Sequence, residues 1–414
     1  MSKHREGDLT PVGDALRIVL EQAHPLSAEV VPLHEVLHRT VAADAVADVD
    51  QPAFDRAAMD GIAVRSHDCS QPDTVLRSIG EAVAGQPFVG EVTPGTCVRT
   101  MTGAIVPTGA DAVVPFEKVT RESEGSDGEA LWRVPGPVRC EANVARKGSE
   151  VRQGEAVVSA GTVLDGPRMG ALAAFGHARV LVHRRPEVTL LPTGNEIVSV
   201  DRTPGPGQVR DSNRWALAGL LQMAGARVRH GEVVPDRPQA LRDALEEALA
   251  SSDVVVLSGG VSAGDYDLVA AALCDVGATA WVHQIAIKPG KPFLFAVKGD
   301  KLIFGLPGNP VSATVCAVLF LLPALAKLQG ETAPGWRLMP VAAGHAVGVG
   351  GPRTEILPFR LVFSASGAEA HRIRTAGSAD LTHFAAADAW ILRPASAPEV
   401  PSGGQLAMLW WPRP

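Results

Sequence analysis

The sequence predicts a multidomain protein of mixed α/β and β class, centred on a doubly wound α/β domain over residues 186–330. Three observations predict it. From Pro186 onward, apolar strand-like runs alternate with helical patterns, the signature of a mostly parallel sheet with helices on both faces. Residues 51–136 instead alternate short β-like runs with Gly and Pro. From about residue 331 to the end, helical periodicity gives way to short strands between Gly-Pro-Ser turns, a small all-β domain.

The 414 residues are enough for two to four domains, and 46% hydrophobic with 20% charged residues is the composition of a chain that buries substantial cores. A net charge of −7 argues against nucleic acid binding by bulk electrostatics. The N-terminus is polar and has no signal-peptide apolar core. The longest apolar stretch, residues 311–325, is interrupted by Ser312, Thr314 and Pro323. It falls short of the ~20 apolar residues of a membrane span, so a buried helix is expected. Five cysteines without a C-x-x-C pair fit reduced thiols and give no zinc knuckle. A cytoplasmic protein with no membrane partner is the expectation.

Thr10-Pro11 opens a helix, with a capping hydroxyl and then proline at the first helical position; Val12, Leu16, Val19, Leu20 and Ala23 mark its apolar face. Residues 33–43 read as a second short helix carrying His34-Glu35-Val36-Leu37-His38. Such an H-E-x-x-H can place two imidazoles one turn apart on zinc, with Asp44 as a third ligand. The helix follows Pro32, however, and Val41 stands where the extended motif turns on glycine, so a solvated His-Glu-His face is favoured. Strand-like runs at 74–79, 96–101, 112–119 and 131–134 build the first β module, and the 121–129 run reads as a solvated hairpin loop. Asp60 directly precedes Gly61 and Thr102 directly precedes Gly103, each in a turn where a side chain can satisfy local backbone. The loop 143–151 carries Arg146, Lys147 and Glu150, and 166–176 reads as a short helix.

In the α/β region strands fall at 188–191, 227–234, 253–257 and 301–306, and helices at 213–224, 237–250, 268–276 and 311–328. Strands at 338–349, 354–363, 369–373, 389–392 and 405–410 make the last domain, with Arg353 and Ser378 in its turns. In doubly wound sheets ligands bind beyond the carboxyl ends of the strands. Glu196, Asp236, Asp267, Lys288, Lys291, Asn309 and Ser312 all fall there. Glu196, Asp236 and Asp267 offer hard oxygen ligands to a Mg²⁺ shared with phosphate oxygens. Ser258-Gly259-Gly260-Val261-Ser262-Ala263-Gly264 has the backbone freedom to cradle phosphates with N–H groups. Lys288 and Lys291 flank Pro289-Gly290, and the turn Pro307-Gly308-Asn309-Pro310 opens a helix whose free N–H groups favour an anion. Lys288, Lys291 and Ser312 could neutralise a tetrahedral oxyanion. Singly, each is equally an ordinary cap or turn residue. Their convergence points to a phosphorylated or nucleotide-linked ligand, a magnesium ion and an extra oxyanion.

Ser-Gly-Gly-Val-Ser-Ala-Gly-Asp-Tyr-Asp at 258–267, Lys-Pro-Gly-Lys-Pro at 288–292 and Gly-Leu-Pro-Gly-Asn-Pro-Val-Ser at 305–312 resemble the MoeA/gephyrin E-domain family, the molybdopterin molybdenumtransferases. Ala-Met-Asp-Gly at 58–61, Met-Thr-Gly-Ala at 101–104, Thr-Gly-Asn-Glu at 193–196 and Asp-Ser-Asn-Arg at 211–214 extend the resemblance over essentially the whole chain. It implies insertion of molybdate into the dithiolene of adenylylated molybdopterin, with Mg²⁺ and release of AMP. By motif position Lys288, Lys291, Pro292, Ser312 and Arg353 look like the molybdate pocket. Glu196, Asp236 and Asp267 look like the acidic, metal-associated positions. Asp60, Thr102, Glu150 and Ser378 match further functional positions, while Ser258, Gly259, Gly260, Ser262, Pro307, Asn309 and Pro310 belong to the substrate-binding motifs. The implied architecture is an N-terminal helical linker domain (1–50 and 137–185), a β module inserted in it (51–136), a three-layer α/β/α molybdopterin-binding domain (186–330) and a C-terminal small β barrel (331–414). It also implies an elongated homodimer with composite sites, and the upstream molybdopterin adenylyltransferase and recipient molybdoenzymes as partners.

Three positions depart from the family pattern. Ile62 stands in place of a usual tyrosine, Glu150 in place of a common aspartate, and Ser378 lies in Ala-Gly-Ser-Ala where a second glycine is more usual. None removes a lysine or carboxylate from the α/β domain, so an active enzyme is expected. The competing readings are a non-catalytic pterin-binding scaffold of the same fold and the H-E-x-x-H zinc hydrolase.

Overall fold

The computed structural model describes residues 9–122, 130–260, 268–365 and 367–410. Ser262, Asp267 and most of the 121–129 run lie outside the described residues. The chain forms two compact units: one comprises the chain up to Ala43, Ala160–Asp165 and everything from Arg179, the other Asp44–Ser159 and Gly166–Ala178.

The first unit is organised on a six-stranded sheet of β1 (Glu187–Pro192), β2 (Arg227–His230), β3 (Val254–Ser258), β4 (Thr279–His283), β5 (Leu294–Lys298) and β6 (Lys301–Leu306), in the order β2-β1-β3-β6-β5-β4. The first four in that order run parallel. β5 turns into β6 across the two residues Gly299-Asp300, a connection that forces antiparallel pairing, and β4 closes the edge antiparallel to β5. Strand periodicity explains the layering. Val254 and Val256 of β3 enter one core with Leu217, Leu221 and the helix Pro310–Leu328, whereas Val255 and Leu257 enter another with Leu241, Leu245 and Val269. Both faces are thus covered, which is why β3 is apolar at consecutive positions. Pro310–Leu328 is long and apolar enough to cross a membrane, but 78% of its 18-residue apolar window is buried within the protein, as a core helix requires.

Two local expectations fail at the N-terminus. The helix Val12–Gln22 is capped by Pro11 without a side-chain bond, because Thr10 is instead buried in a bridge to Ile285. Residues 33–43 do not form a helix beyond one 3-10 turn, Leu33–Glu35. Arg39 is buried, donating to Glu29 Oε1 at 2.5 Å and to the His183 carbonyl at 2.7 Å, and Thr40 and Val41 bridge to Val163 and Val182. These tertiary bonds hold Thr40 and Val41 in isolated bridges, and His38 sits at φ 60°, outside helical backbone. His34 and His38 therefore share no helical face, and the H-E-x-x-H zinc reading loses its geometry.

In the C-terminal region Arg337–Ala343, Gln405–Trp410, Ala389–Arg393, Thr354–Ser364 and Gly367–Arg372 pair successively, and the last returns to the first. The five strands close a barrel around Phe359, Ile391, Leu406 and Val341. A short helix, Leu381–Ala385, departs from the all-β expectation; Asp380 caps it by accepting from the His383 N–H. The second unit carries a six-stranded sheet in the order Ala112–Pro115, Gly61–Val64, Thr96–Thr100, Thr74–Ala82, Leu131–Val134 and Thr120–Arg121. Ile62 is fully buried there with Leu76, Val114 and Trp132, so the departure from tyrosine falls on a core position.

Candidate active site

The carboxyl ends of β1, β2 and β3 converge on a cavity of about 370 Å³ lined by Thr193, Glu196, Asp236, Gly260, Leu268 and Val269 among others. Asn195 and Asp236 hold each other reciprocally: the Asn195 N–H donates to Asp236 Oδ2 and the Asp236 N–H to Asn195 Oδ1, both at 3.3 Å. Glu196 and Asp236 are exposed, and among the described residues neither has an ion-pair partner. Carboxylate oxygens are the donor type a hard divalent cation takes, but among the described residues no group of three or more His, Cys, Asp or Glu side chains assembles here. Thr193 is buried, and its Oγ1 has no hydrogen-bond partner among the described residues. Gly259, at φ 105°, approaches Thr193 so closely that a Cβ would lie 2.6 Å from the Thr193 carbonyl oxygen, so only glycine lets this loop sit on β1.

A cationic group assembles at the next turn. Ile287–Lys288 pairs in parallel with Thr354–Glu355 of the barrel, and Arg353 Nη1 donates to the Ile287 carbonyl at 3.1 Å. This places Arg353 beside Lys288 although the two are far apart in sequence. Lys288 Nζ lies 3.8 Å from Glu355 Oε1. Lys291 is exposed and has no ion-pair partner among the described residues. The Lys288-Pro289 peptide is cis, and Gly290 is at φ 115°. A Cβ on Gly290 would lie 2.9 Å from Cys316 Sγ and 3.7 Å from the Ser312 carbonyl oxygen, so the turn rests directly on the helix that begins at Pro310. Ser312 is buried in the first turn of that helix, Pro310 occupies its opening, and Asn309 is the N-cap. Pro292 is half-buried, Pro307 buried, and Ser378 is half-buried in the turn before Leu381–Ala385.

In the second unit Asp60 Oδ1 accepts from both the backbone N–H and Oγ1 of Thr102, each at 2.7 Å. These two bonds hold the exposed Asp60 carboxyl below the usual carboxylate range. Glu150 Oε1 accepts from Arg56 at 2.7 Å.

Residues 10–176 match the MoeA N-terminal region (domains I and II), residues 189–327 the probable molybdopterin binding domain, and residues 343–409 the MoeA C-terminal region (domain IV). A curated molybdopterin molybdenumtransferase of Haemophilus influenzae is 38% identical over 314 residues, 76% of this chain and 76% of that protein. The chain belongs to the MoeA family. Two crystal structures of molybdopterin biosynthesis MoeA proteins from Pyrococcus horikoshii match it with TM-scores of 0.80 and 0.84 at 31% and 28% identity, each over 98% of this chain and 100% of the other.

One residue that bonds to both the Ser258 and the Gly308 loops carries little signal in the sequence. Asn213, buried in the first turn of Ser212–Met223, donates from Nδ2 to Ser258 Oγ at 2.8 Å and to the Gly308 carbonyl at 2.9 Å. Only its place in Asp-Ser-Asn-Arg at 211–214 hints at this. Its contacts lie 45 and 95 residues away in the chain, beyond any local pattern.

Proposed function

We propose that this chain is a molybdopterin molybdenumtransferase that inserts molybdate into the dithiolene of adenylylated molybdopterin and releases AMP. The observation that carries the reading lies within one compact unit. An unpaired acidic cavity at the ends of β1 and β2 accompanies a cationic turn formed by Lys288, Lys291 and Arg353 over Ser312. The first suits a metal-bridged phosphate and the second a tetrahedral dianion. Glu196 and Asp236, with Asp267, would hold Mg²⁺, which when bound neutralises phosphate oxygens. The Gly259 N–H is taken by the Leu306 carbonyl, so the loop that opens at Gly260 would orient the phosphates, beside the apolar wall of Leu268 and Val269. Lys288, Lys291 and Arg353 hold molybdate electrostatically, with Pro292 and Ser312 shaping the pocket. Pro307, Asn309, Pro310 and Ser378 complete the substrate contacts, and the reaction is placed in the cytoplasm. The test mixes protein, adenylylated molybdopterin, Mg²⁺ and molybdate. AMP release that depends on molybdate is expected; tight binding of the pterin nucleotide without release overturns the catalytic reading.

Lys291→Ala should raise the molybdate concentration needed for half-saturation about 10-fold or more, while binding of the pterin nucleotide changes little, because a compact ammonium at an exposed turn suits a small dianion. Titrating molybdate and the pterin nucleotide separately decides it. Unchanged molybdate dependence with lost nucleotide binding would mean that the lysines serve the other anion.

The working form is proposed to be a two-fold homodimer with composite sites, as the family resemblance implies. Asp60 would then serve the same site as the Asp236 of a second copy. Asp60→Asn and Asp236→Asn homodimers should each be inactive. Their heterodimer should regain about half the wild-type AMP release, since one of its two sites carries both substitutions and the other neither. Purification with two different tags after co-expression isolates that heterodimer, and a folded but inactive one would point to a site contained in a single chain.

A further inference from the structure

We propose that Asn213 is a positioning residue that fastens two substrate loops to each other and sets the affinity for the pterin nucleotide. The inference rests on the proposed function for its ligand, but not for its geometry. Asn213 is 9% exposed and Ser258 is 7% exposed. One amide spans both loops. Its two N–H groups reach Ser258, the last residue of β3, and the carbonyl of Gly308, in the turn that follows β6. β3 and β6 are parallel neighbours with Ser258 opposite Leu306, and the Gly259 N–H donates to the Leu306 carbonyl at 3.0 Å. Beyond that bond the ladder ends, and among the described residues Asn213 is the side chain that joins the two loops. The backbones there are close: a Cβ on Gly308 would lie 3.7 Å from the Gly259 Cα.

The amide orientation is fixed by chemistry. Turned over, its oxygen would face the Gly308 carbonyl, acceptor against acceptor. Asn213 Oδ1 is consequently left as the free end, buried and without a hydrogen-bond partner among the described residues. Thr193 Oγ1, on the cavity wall beside Gly259 and Gly260, is in the same condition. An unpaired buried acceptor is destabilising. A ligand that brings an N–H or O–H donor relieves it. With both Asn213 N–H groups occupied, this amide selects a donor and offers nothing to a phosphate oxygen.

The experiment compares wild type with Asn213→Ala and the isosteric Asn213→Asp, whose second oxygen repels the Gly308 carbonyl. Hydrogen exchange without ligand reads the loops, and titration of adenylylated molybdopterin reads affinity. Amides of Gly259, Gly260, Gly308 and Asn309 should exchange at least 10-fold faster in both variants, with those of β1 and of Val254–Leu257 unchanged. The Kd for adenylylated molybdopterin should rise at least 10-fold in both variants. Uniformly faster exchange across the sheet makes Asn213 a general core residue and overturns the proposal. So do unchanged loops, or loosened loops with unchanged affinity. If wild-type protein itself does not bind the pterin nucleotide, the functional reading fails, and the exchange data still decide whether the two loops are fastened by Asn213.

Discussion

Asp236→Asn is expected to slow molybdate-dependent AMP release about 100-fold or more, the equivalent of about 3 kcal/mol of lost charge stabilisation. The substitution keeps the size of the side chain and one acceptor oxygen, so the reciprocal bonds with Asn195 can persist. What it removes is one of two carboxylate charges on the cavity wall. Because the residue is exposed and follows the end of a strand, it contributes little to the core, and the melting temperature should move by less than about 2 °C. The apparent Mg²⁺ requirement should rise about 10-fold, reflecting a site with one less charge. Turnover and Mg²⁺ dependence within a factor of two of wild type would show that Asp236 serves only to fasten the turn at Asn195. Glu196→Gln distinguishes the two possibilities further, since Glu196 has no such turn partner among the described residues.

Much of the α/β region was legible because its signals are local and redundant. The apolar runs now seen as β3 and β6 are strands buried on both faces, and each is followed by glycine and by a hydroxyl or proline turn. The antiparallel edge was less visible, because whether β5 and β6 pair directly depends on the two residues Gly299-Asp300 rather than on apolar content. Residues 33–43 misled for the opposite reason. Their spacing suits a helix, but Arg39 finds Glu29 and the His183 carbonyl, and those long-range bonds override a weak local preference. Within the candidate site the charged residues were readable as motif members. The way Arg353 reaches the Lys288 strand, and Asn213 two loops, was not, because each contact is made by the fold and leaves no periodicity behind.

Asp253→Asn should destabilise the protein by about 2–3 kcal/mol at pH 7 without impairing the site. Asp253 immediately precedes β3 and is buried, and it accepts both Arg184 guanidinium bonds, Nη1 at 2.6 Å and Nη2 at 2.7 Å. It also accepts the Glu187 N–H at 2.9 Å, with Lys301 Nζ 3.9 Å away. Neutralising it leaves the Arg184 charge without its partner. The cost falls toward the lower side of what breaking a buried pair entails, because Arg184 keeps 34% of its side-chain exposure. Burial alone would push the Asp253 carboxyl up; Arg184, the Glu187 N–H and Lys301 outweigh it and hold the group below the ordinary aspartate range. The stabilisation is therefore fully present above the unfolded-chain value of about 4 and is lost as pH falls through the lower folded-state value. Urea titrations should show the gap between wild type and variant closing below about pH 4. Asp253, Glu187 and Lys301 all lie at strand beginnings, roughly 15 Å from the carboxyl ends that carry the cavity. AMP release measured well below the melting temperature should stay within about twofold of wild type. A variant with unchanged urea midpoint at pH 7 would mean that solvent screens this pair despite its burial, and a gap that widened in acid would contradict the depressed titration of Asp253.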